Sequence, residues 1–544
     1  MVNKIKKNLI SNIMRASYFT NPDRVGKDVV RRMEKNPLLT CSTYVTNELL
    51  RRLKGASSLA NKSDDYISAA ANFLFELFGP ETPISSLVKL LEMPSVTGHE
   101  EHKAKYLSSI LMTFGIESWV DRYGNVIGII RGSSKETVLY EIHMDVVPPE
   151  EGQKVYIKDG RVWGRGSSDA QAGISEILYA AKRLATFSRF YPLKRNLLIV
   201  LDSGEEATTS EAKGFLRFIN SFKKGRIKRL KGLRIWAGVC GEPTSDDSGK
   251  ICIGVSSAGR VLMRIKISGE KGELQKAYGI HLLGQSCHAA QPWKGLSVFQ
   301  GMKSITSYLN SRGCEIVDAQ AGAIKDGIMS PSVTNIIPSH GYISVNSETI
   351  GKTNLRKLVR AWHKKNSGFR VVSIEDISVP SSYHENSLET LRLIGNIMKL
   401  NRGLKTVQIA GVNARPTCAP TYLSLDAGYM LVDFRIVANN TPEDARRMVE
   451  STINRKAEII SSNRAAYTQS EDFLKMLEGR HTKRVHVFYS HMLSYLQKEL
   501  MVKRIFVVSG GCRENLHTPD ENAEISMIIK SAHFLYSSLK RMCY

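Results

Sequence analysis

The sequence has no long hydrophobic run and no closely spaced pair of cysteines. Its longest apolar stretches, such as 197–201, are only as long as a strand, whereas a membrane-spanning helix needs about 20 apolar residues. We therefore predict no transmembrane segment. The eight cysteines are scattered without any Cys-x-x-Cys spacing. This pattern argues against a thiolate zinc site or a disulfide framework, and it favours a reducing compartment.

Acidic residues are scarce relative to basic ones. The chain has 52 Asp and Glu against 76 Lys and Arg, which gives a formal net charge of +24. The electrostatic field of such a positive charge attracts anionic substrates, nucleic acid or lipid headgroups. The densest basic run, 223–229, has no interleaved aromatic residue and matches no nucleic-acid-binding module. We interpret it as a solvated face that also steers an anionic substrate, and we predict no specific nucleic-acid partner.

The first 22 residues contain no acidic side chain, and basic residues punctuate an apolar pattern there. That composition is typical of an organellar transit peptide, but it also fits an ordinary N-terminal helix, and no cleavage site is recognisable. We predict a cytoplasmic protein and keep a transit peptide within residues 1–22 as the alternative.

The chain is too long for a single hydrophobic core. We predict a helical N-terminal extension over 1–80, a catalytic domain built from 81–258 and 458–544, and an inserted α+β domain over 259–457. Alternating strands and helices in the catalytic part predict an α/β fold with a mixed, largely parallel sheet and helices on both faces.

Individual elements follow from hydrophobic periodicity. In the catalytic part, strands are predicted at 137–142, 196–201, 235–239 and 504–509, and helices at 174–184, 485–500 and from 521 onward. In the inserted part, strands are predicted at 261–268, 279–284 (paired with the first) and 430–436, with helices at 296–309 and after the N-cap at Thr441.

Acids and imidazoles follow the predicted strand ends. His143, Glu205 and Glu242 each come just after one of three apolar strands, and ligands bind beyond the carboxyl ends of parallel strands. Asp145 lies two residues after His143, so its carboxylate can accept a hydrogen bond from the imidazole. The adjacent acids Glu205 and Glu206 are costly at a buried strand end unless a positive charge lies between them. A metal ion would supply that charge, one acid binding it while the other takes a proton.

Each of these segments also has a purely structural explanation. Asp169 would serve as the cap of the helix that begins near Ala172. Glu205 and Glu206 would form a solvated acidic loop, and His517, in a turn before the last helix, would be a surface residue. Only their convergence would distinguish the two interpretations.

Taken in order, five motifs resemble the M20 family of metallopeptidases and deacylases, which includes succinyl-diaminopimelate desuccinylase, acetylornithine deacetylase and several carboxypeptidases. The resemblance covers roughly residues 85–540. Its motifs are His143-x-Asp145, Gly164-Arg165-Gly166-x-x-Asp169, Glu205-Glu206, Gly241-Glu242-Pro243-Thr244 and His517-Thr518-Pro519-Asp520-Glu521.

The resemblance implies a dinuclear zinc centre in which Asp169 bridges the two ions. His143 and Glu242 would complete one ion, and Glu206 and His517 the other. Glu205 would be the general base, and Asp145 would orient His143. Carboxylate-rich sites also accept cobalt or manganese, so these remain alternatives to zinc.

The inserted domain resembles the family's lid and dimerisation domain, which implies a homodimer. His288, within 284–295, matches a histidine that steadies the reacting carbonyl oxygen, often across the dimer. Asn335 and Arg435 match lid positions that contact substrate.

The chain departs from the family pattern at three places. A lysine-glycine pair usually follows soon after the bridging aspartate, where this chain has Gln171-Ala172. Asn335 and Arg435 are unusually far apart, which implies an extra insertion at about 340–415. The family's late substrate loop is matched only in part, by 509–513. The departures leave the predicted metal ligands in place and the substrate open.

We therefore predict a hydrolase that cleaves an amide bond with a zinc-activated water. Its substrate would be a small peptide or an N-acyl amino acid with a free carboxylate; the sequence does not separate peptidase from deacylase. Two alternatives remain: a catalytically inactive relative that acts as a binding protein, and a basic protein associated with nucleic acid or membranes.

Overall fold

A computed structural model describes residues 82–544 except 150–152, 207–212, 268–273, 326–327, 332–333, 381–383, 426, 490–491 and 519. The helical extension predicted over 1–80 and the possible transit peptide lie outside the described residues.

The described strands are β1 (Glu117–Val120), β2 (Val126–Ile130), β3 (Glu136–His143), β4 (Tyr156–Lys158), β5 (Arg161–Trp163), β6 (Asn196–Asp202), β7 (Arg234–Cys240), β8 (Ile251–Ser257), β9 (Gly259–Lys266), β10 (Leu274–Leu283), β11 (Cys287–His288), β12 (Ile316–Lys325), β13 (Ile328–Ser330), β14 (Ile336–Ile337), β15 (His340–Asn346), β16 (Arg370–Pro380), β17 (Val407–Ile409), β18 (Val412–Ala414), β19 (Thr417–Ser424), β20 (Tyr429–Ile436), β21 (Ala457–Ser462), β22 (Ala466–Tyr467), β23 (Thr482–Val487), β24 (Ile505–Val507) and β25 (Asn522–Glu524).

The described α-helices are α1 (Pro83–Leu91), α2 (Glu101–Thr113), α3 (Gln171–Ser188), α4 (Gly214–Lys223), α5 (Val298–Asn310), α6 (Lys352–Lys365), α7 (His384–Gly403), α8 (Pro442–Ile453), α9 (Glu471–Leu477), α10 (Leu493–Leu500) and α11 (Ile525–Cys543). None of them is both long and apolar enough to cross a membrane.

These elements form two compact units. Among the described residues, the first unit lies within 82–255, 468–485 and 492–544, and the second within 256–467 and 486–489. That the second unit acts as a lid stays a prediction.

The first unit is organised around a mixed sheet in which β1, β2, β6, β3, β7, β24 and β8 are neighbours in that order. The central strands β6, β3, β7 and β24 run parallel, while β1 and β2 on one side and β8 on the other pair antiparallel. All seven residues of β6 are buried, as expected for a strand covered on both faces. The α/β fold class with a mixed sheet is confirmed.

Helix α3 is largely buried, and α1 and α11 pack against this helix. Its contact with the sheet is close because Gly173 has no side chain. A Cβ atom at Gly173 would lie 2.2 Å from the carbonyl oxygen of Gly241. The hydroxyl of Tyr140, on β3, donates a 2.8 Å hydrogen bond to the Gly173 carbonyl. The start of α3 is thereby fixed against the ends of β3 and β7.

The second unit contains an antiparallel sheet in the order β16, β10, β15, β12, β19, β20, β9 and β21. Its core includes Phe299, Met302, Trp362 and Ile394, which come from helices α5, α6 and α7. The predicted N-cap at Thr441 is confirmed, since its hydroxyl accepts a hydrogen bond from the Asp444 N–H and forms a capping box. Within the predicted insertion at 340–415 lie α6, β16 and α7.

The predicted pairing of 279–284 with 261–268 is wrong. Strand β10 pairs with β15 and β16, whereas β9 pairs with β20 and β21. Alternating apolar residues define which face of a strand is buried, but they do not select its partner. Both partners of β9 come from far later in the chain.

Two predicted elements near the C-terminus are also corrected. The helix predicted at 485–500 begins as the end of strand β23, because this strand pairs with β8 and Val485, His486 and Val487 are all buried in it. The helix itself is α10. The closing helix starts at Ile525 rather than near 521, because Asn522 to Glu524 pair with β5.

Candidate metal centre

Parallel strand ends bring most of the predicted ligands to one edge of the first unit's sheet. Strand β3 ends at His143, which lies opposite Asp202 at the end of β6. Strand β7 ends at Cys240, two residues before Glu242. Because the turns after β3, β6 and β7 leave from the same edge, His143, Glu205 and Glu242 meet there.

Asp169 lies between two histidines. Its Oδ1 is 2.9 Å from Nε2 of His143, and its Oδ2 is 3.1 Å from Nε2 of His517. Glu242 Oε1 lies 3.3 Å from the same His143 nitrogen, and Glu206 Oε1 lies 2.7 Å from that of His517. Two groups of three side chains therefore share Asp169, and within each group the potential ligand atoms all lie within 4.8 Å of one another.

The helix-cap interpretation of Asp169 does not hold. The N-cap of α3 is Ala170, and no side chain caps the helix. The carboxylate of Asp169 points to the two histidines instead. A cis peptide bond joins Asp169 to Ala170.

Glu521 fixes the Asp169 loop from behind. Its Oε1 accepts hydrogen bonds from the N–H groups of Ser168 (3.1 Å) and Asp169 (3.0 Å). Its Oε2 accepts a 2.7 Å hydrogen bond from Arg165 Nη1. The sequence motif contains Glu521 but does not reveal this role, which a fully buried acid fulfils by finding such partners. The backbone of Asp169 is therefore held in place independently of its side chain.

Asp145 contacts both His143 and the turn after β6. Nδ1 of His143 is 2.9 Å from the Asp145 carbonyl oxygen and 3.5 Å from its Oδ1. The two carboxylate oxygens accept hydrogen bonds from the N–H groups of Glu205 and Glu206, at 3.0 Å each. Thr97 donates a further hydrogen bond of 2.9 Å to Oδ2. One buried carboxylate thus sets the position of the imidazole and of the two consecutive glutamates.

Glu205 does not belong to either group that shares Asp169, although it lies in a third group with His143 and Glu206. Its Oε1 accepts a 3.0 Å hydrogen bond from Nζ of Lys213, with which it forms an ion pair, and Lys213 also donates to the Glu205 carbonyl. Burial raises the pKa of Glu205, and the charge of Lys213 lowers it. Sequence reasoning missed Lys213, because a lysine eight residues away in a loop carries no recognisable signal.

The electrostatics of the cluster fit divalent cations. Burial raises the pKa of Glu242 well above its usual value, and the charge of Asp169 raises it further. Burial lowers the pKa of His143, but the charge of Glu242 and contacts with Asp145 and Asp169 raise it well above its usual value. Burial likewise lowers the pKa of His517, while Glu206 and Asp169 raise it well above its usual value. Protons on the imidazoles are held by the surrounding carboxylates, and divalent ions can take their place. Two imidazole nitrogens with several carboxylate oxygens form a donor set that suits zinc.

The other predicted site residues, His288, Asn335 and Arg435, lie in the second unit. Asn335 and His288 are close, because the Asn335 carbonyl accepts a 2.7 Å hydrogen bond from the N–H of Ala289. Arg435 is almost fully buried, and its Nε donates a 2.7 Å hydrogen bond to Asp433. Arg260, on the neighbouring strand, donates to the same carboxylate at 2.6 Å.

A family model described as Peptidase family M20/M25/M40 matches residues 139–541. A Pyrococcus abyssi protein named for hydrolysis of LysW-lysine and LysW-ornithine is 38% identical over 97 residues, or 18% of this chain and 28% of that protein. A succinyl-diaminopimelate desuccinylase of Nitratiruptor sp. is 24% identical over 287 residues, or 51% of this chain and 71% of that protein. The chain spans less than a third of the length of the archaeal relatives it matches.

Among solved structures, aminoacylhistidine dipeptidase from Vibrio alginolyticus is similar, with a TM-score of 0.52 and 13% identity. The match covers 85% of this chain and 96% of that chain. At this level of identity the similarity concerns the fold alone.

Proposed function

This chain belongs to peptidase family M20/M25/M40, and from that membership we propose that it cleaves an amide bond, in a small peptide or an N-acyl amino acid, at a centre of two zinc ions. The match over most of the chain shows that the protein is a hydrolase of this metal-dependent family. The resemblance identified from the sequence is thereby confirmed.

One observation carries the proposal of two metal ions: the two oxygens of Asp169 face different histidines, at 2.9 and 3.1 Å. A carboxylate that only bound one ion would not need an imidazole on each side. Asp169 would bridge the ions, with His143 and Glu242 on one and Glu206 and His517 on the other. The same donors would also accept cobalt or manganese.

When bound, the ions supply Lewis acidity toward water and the substrate carbonyl. We assign Glu205 as the general base. Its carboxylate lies near His143 and Glu206, one from each ligand group, but it belongs to neither of the two groups that share Asp169. It takes a proton from the attacking water and returns it to the leaving amine. The charge of Lys213 favours the ionised carboxylate against the effect of burial, which raises its pKa, and Asp145 fixes its backbone.

The second unit would supply substrate contacts. We propose that His288 stabilises the developing negative charge on the carbonyl oxygen, within a homodimer, and that Asn335 and Arg435 bind the substrate. A net charge of +24 would attract a substrate with a free carboxylate. The scattered cysteines support a cytoplasmic location.

The test compares two adjacent glutamates in the full-length protein. N-acyl amino acids and dipeptides are screened with and without chelator, and bound metal is quantified. We expect Glu205→Ala to lower kcat by about 10²- to 10⁴-fold while retaining metal. Glu206→Ala should lose metal as well as activity, because it removes a ligand. Full hydrolytic activity in Glu205→Ala, or activity that survives complete chelation, would contradict the proposal.

A further inference from the structure

Helix α2 carries a lysine that no solvent reaches. The side chain of Lys103 is 1% exposed and is among the largest fully buried side chains of the described residues. Its Nζ donates a 2.9 Å hydrogen bond to Oε1 of Gln171. Burial of an amine is costly unless it makes compensating interactions, so this position calls for a specific role.

Gln171 connects Lys103 to the metal centre. It is fully buried and lies two residues after Asp169. Its Nε2 donates a 3.0 Å hydrogen bond to the carbonyl of Met144, the residue between His143 and Asp145. The hydroxyl of Ser95 donates to the same carbonyl at 2.9 Å. A continuous line of hydrogen bonds therefore runs from the Lys103 amine to the peptide group that joins two proposed site residues.

We propose that Lys103 is a positioning residue of the metal centre, which holds the Gln171 amide against the Met144 carbonyl and so fixes the turn between His143 and Asp145. The proposal rests on the function proposed above, because it assigns Lys103 to that same centre. Without the lysine, Gln171 would lose the contact that sets its amide orientation, and both ends of the turn would loosen.

The hydrogen bond from Lys103 to Gln171 does not depend on whether the Lys103 amine is protonated near neutral pH. Burial lowers the pKa of Lys103 to about 7, while the charges of Asp145 and Glu100 raise it. Both the ammonium and the neutral amine carry N–H groups that donate to a carbonyl oxygen. Glu100 is itself committed to the backbone, accepting from the N–H groups of Gly98 and Gly204 at 3.1 Å each.

A double-mutant cycle in the full-length protein tests the proposal. Lys103→Met, Gln171→Leu and the double variant are compared with Lys105→Met, which removes an exposed lysine from the same helix. Zinc affinity is measured by competition with a chelating dye, and kcat and KM by hydrolysis of the best substrate of the screen. We expect Lys103→Met to weaken zinc affinity and lower kcat by about 10- to 100-fold, the usual effect of removing a residue that orients metal ligands, with little change in KM.

The double variant decides the outcome. If Lys103 acts through the Gln171 amide, Lys103→Met should cause little further loss of zinc affinity and kcat in the Gln171→Leu background, so the two effects should not add. Losses that multiply in the double variant overturn the proposal, as does a fully functional Lys103→Met. An unfolded Lys103→Met also overturns it, because the lysine would then serve the fold and not the turn. The zinc measurement needs no substrate. A wild-type chain that binds zinc but hydrolyses nothing would overturn the proposed reaction and leave the role of Lys103 measurable, whereas one that binds no zinc overturns both.

Discussion

Asp145 does more than its predicted role requires. From its spacing to His143, the sequence predicts a carboxylate that orients an imidazole. In the structure, the shorter contact of His143 Nδ1 is with the Asp145 carbonyl, at 2.9 Å, while the carboxylate accepts from the N–H groups of Glu205 and Glu206. Those residues lie 60 and 61 positions further along the chain, so local spacing could not reveal the contact. The carboxylate couples the proposed base to a proposed ligand through the backbone.

Lys213 is expected to set the pH at which Glu205 becomes ionised. Its charge lowers the pKa of Glu205 against the opposing effect of burial. Replacing Lys213 by Met should therefore raise that pKa. Since the base acts in its ionised form, the acidic limb of the profile of log kcat/KM against pH should move to higher pH.

The matched control is Lys223→Met, which removes a lysine paired with Glu499 on the surface and should leave the profile unchanged. A Lys213→Met variant whose acidic limb stays in place would show that the ion pair does not tune the base. The measurement is a pH–rate profile of both variants and the wild type on one substrate.

At the scale of elements, the close approach of α3 to the end of β7 positions Glu242. A Cβ atom at Gly173 would lie 2.2 Å from the oxygen and 2.9 Å from the carbonyl carbon of Gly241, and these are backbone atoms that no rotamer change can move. We expect Gly173→Ala to lower the free energy of unfolding by about 1–3 kcal/mol, the usual cost of overpacking. Zinc affinity should fall as well, because Gly241 immediately precedes Glu242.

Gly479→Ala is the control for this substitution, since an added Cβ there meets nothing within 4 Å. Its free energy of unfolding should change by less than about 0.5 kcal/mol. Urea unfolding of the two metal-free variants and of the wild type measures both changes in the free energy of unfolding. Equal stability of the two variants would mean that the helix can move away from the strand at little cost.

The sequence predicted the strands that lead into the site better than it predicted which strands pair with each other. Strand β6 contains the continuous apolar run 197–201, as burial on both faces favours, and β3 is almost entirely buried although it includes Thr137 and Glu141. Predicted site residues stand at or soon after the strand ends, since His143 ends β3 and Glu205 lies three residues after β6. The partners of β9 could not be inferred, because a strand pattern contains no information on which distant segment completes the sheet. Val485 to Val487 was mistaken for helix, since a few apolar residues fit both periods when read without their partner.

At the scale of the molecule, all seven proposed residues of the metal centre and its base lie in the first unit, although they span His143 to His517 in sequence. The unit is closed by a C-terminal segment that contributes β24, the His517 turn and α11 after the chain returns from the second unit. The order of motifs in the sequence was therefore a better guide to the centre than distance along the chain. The roles of His288, Asn335 and Arg435 stay predictions.

Stability should depend on pH and metal together, because buried groups hold protons in the folded chain. Burial raises the pKa of Glu141 to about 7 and that of Glu176 to about 8, and the pKa values of His143 and His517 are well above their usual range. Groups with raised pKa values stabilise the fold fully below their unfolded pKa, and this contribution is lost as the pH rises through the folded pKa. Between about pH 5 and pH 7, the metal-free folded chain therefore binds more protons than the unfolded chain. Lys103 opposes this trend only above its folded pKa of about 7.

We therefore expect the Tm of the chelated protein to fall as the pH is raised from about 5 to about 7, where these groups begin to lose their protons. Zinc should act in the opposite direction, since its ligands must be deprotonated and metal binding becomes stronger as protons leave. The difference in Tm between zinc-loaded and chelated protein should grow with pH, as thermal unfolding at matched ionic strength would measure. His517→Ala removes one of the two imidazoles and should reduce both the fall of the chelated Tm and the gain from zinc. A chelated Tm that rises over this range, or a zinc-induced shift that is the same at both ends of it, would mean that the protons held by the buried cluster are not those that the metal displaces.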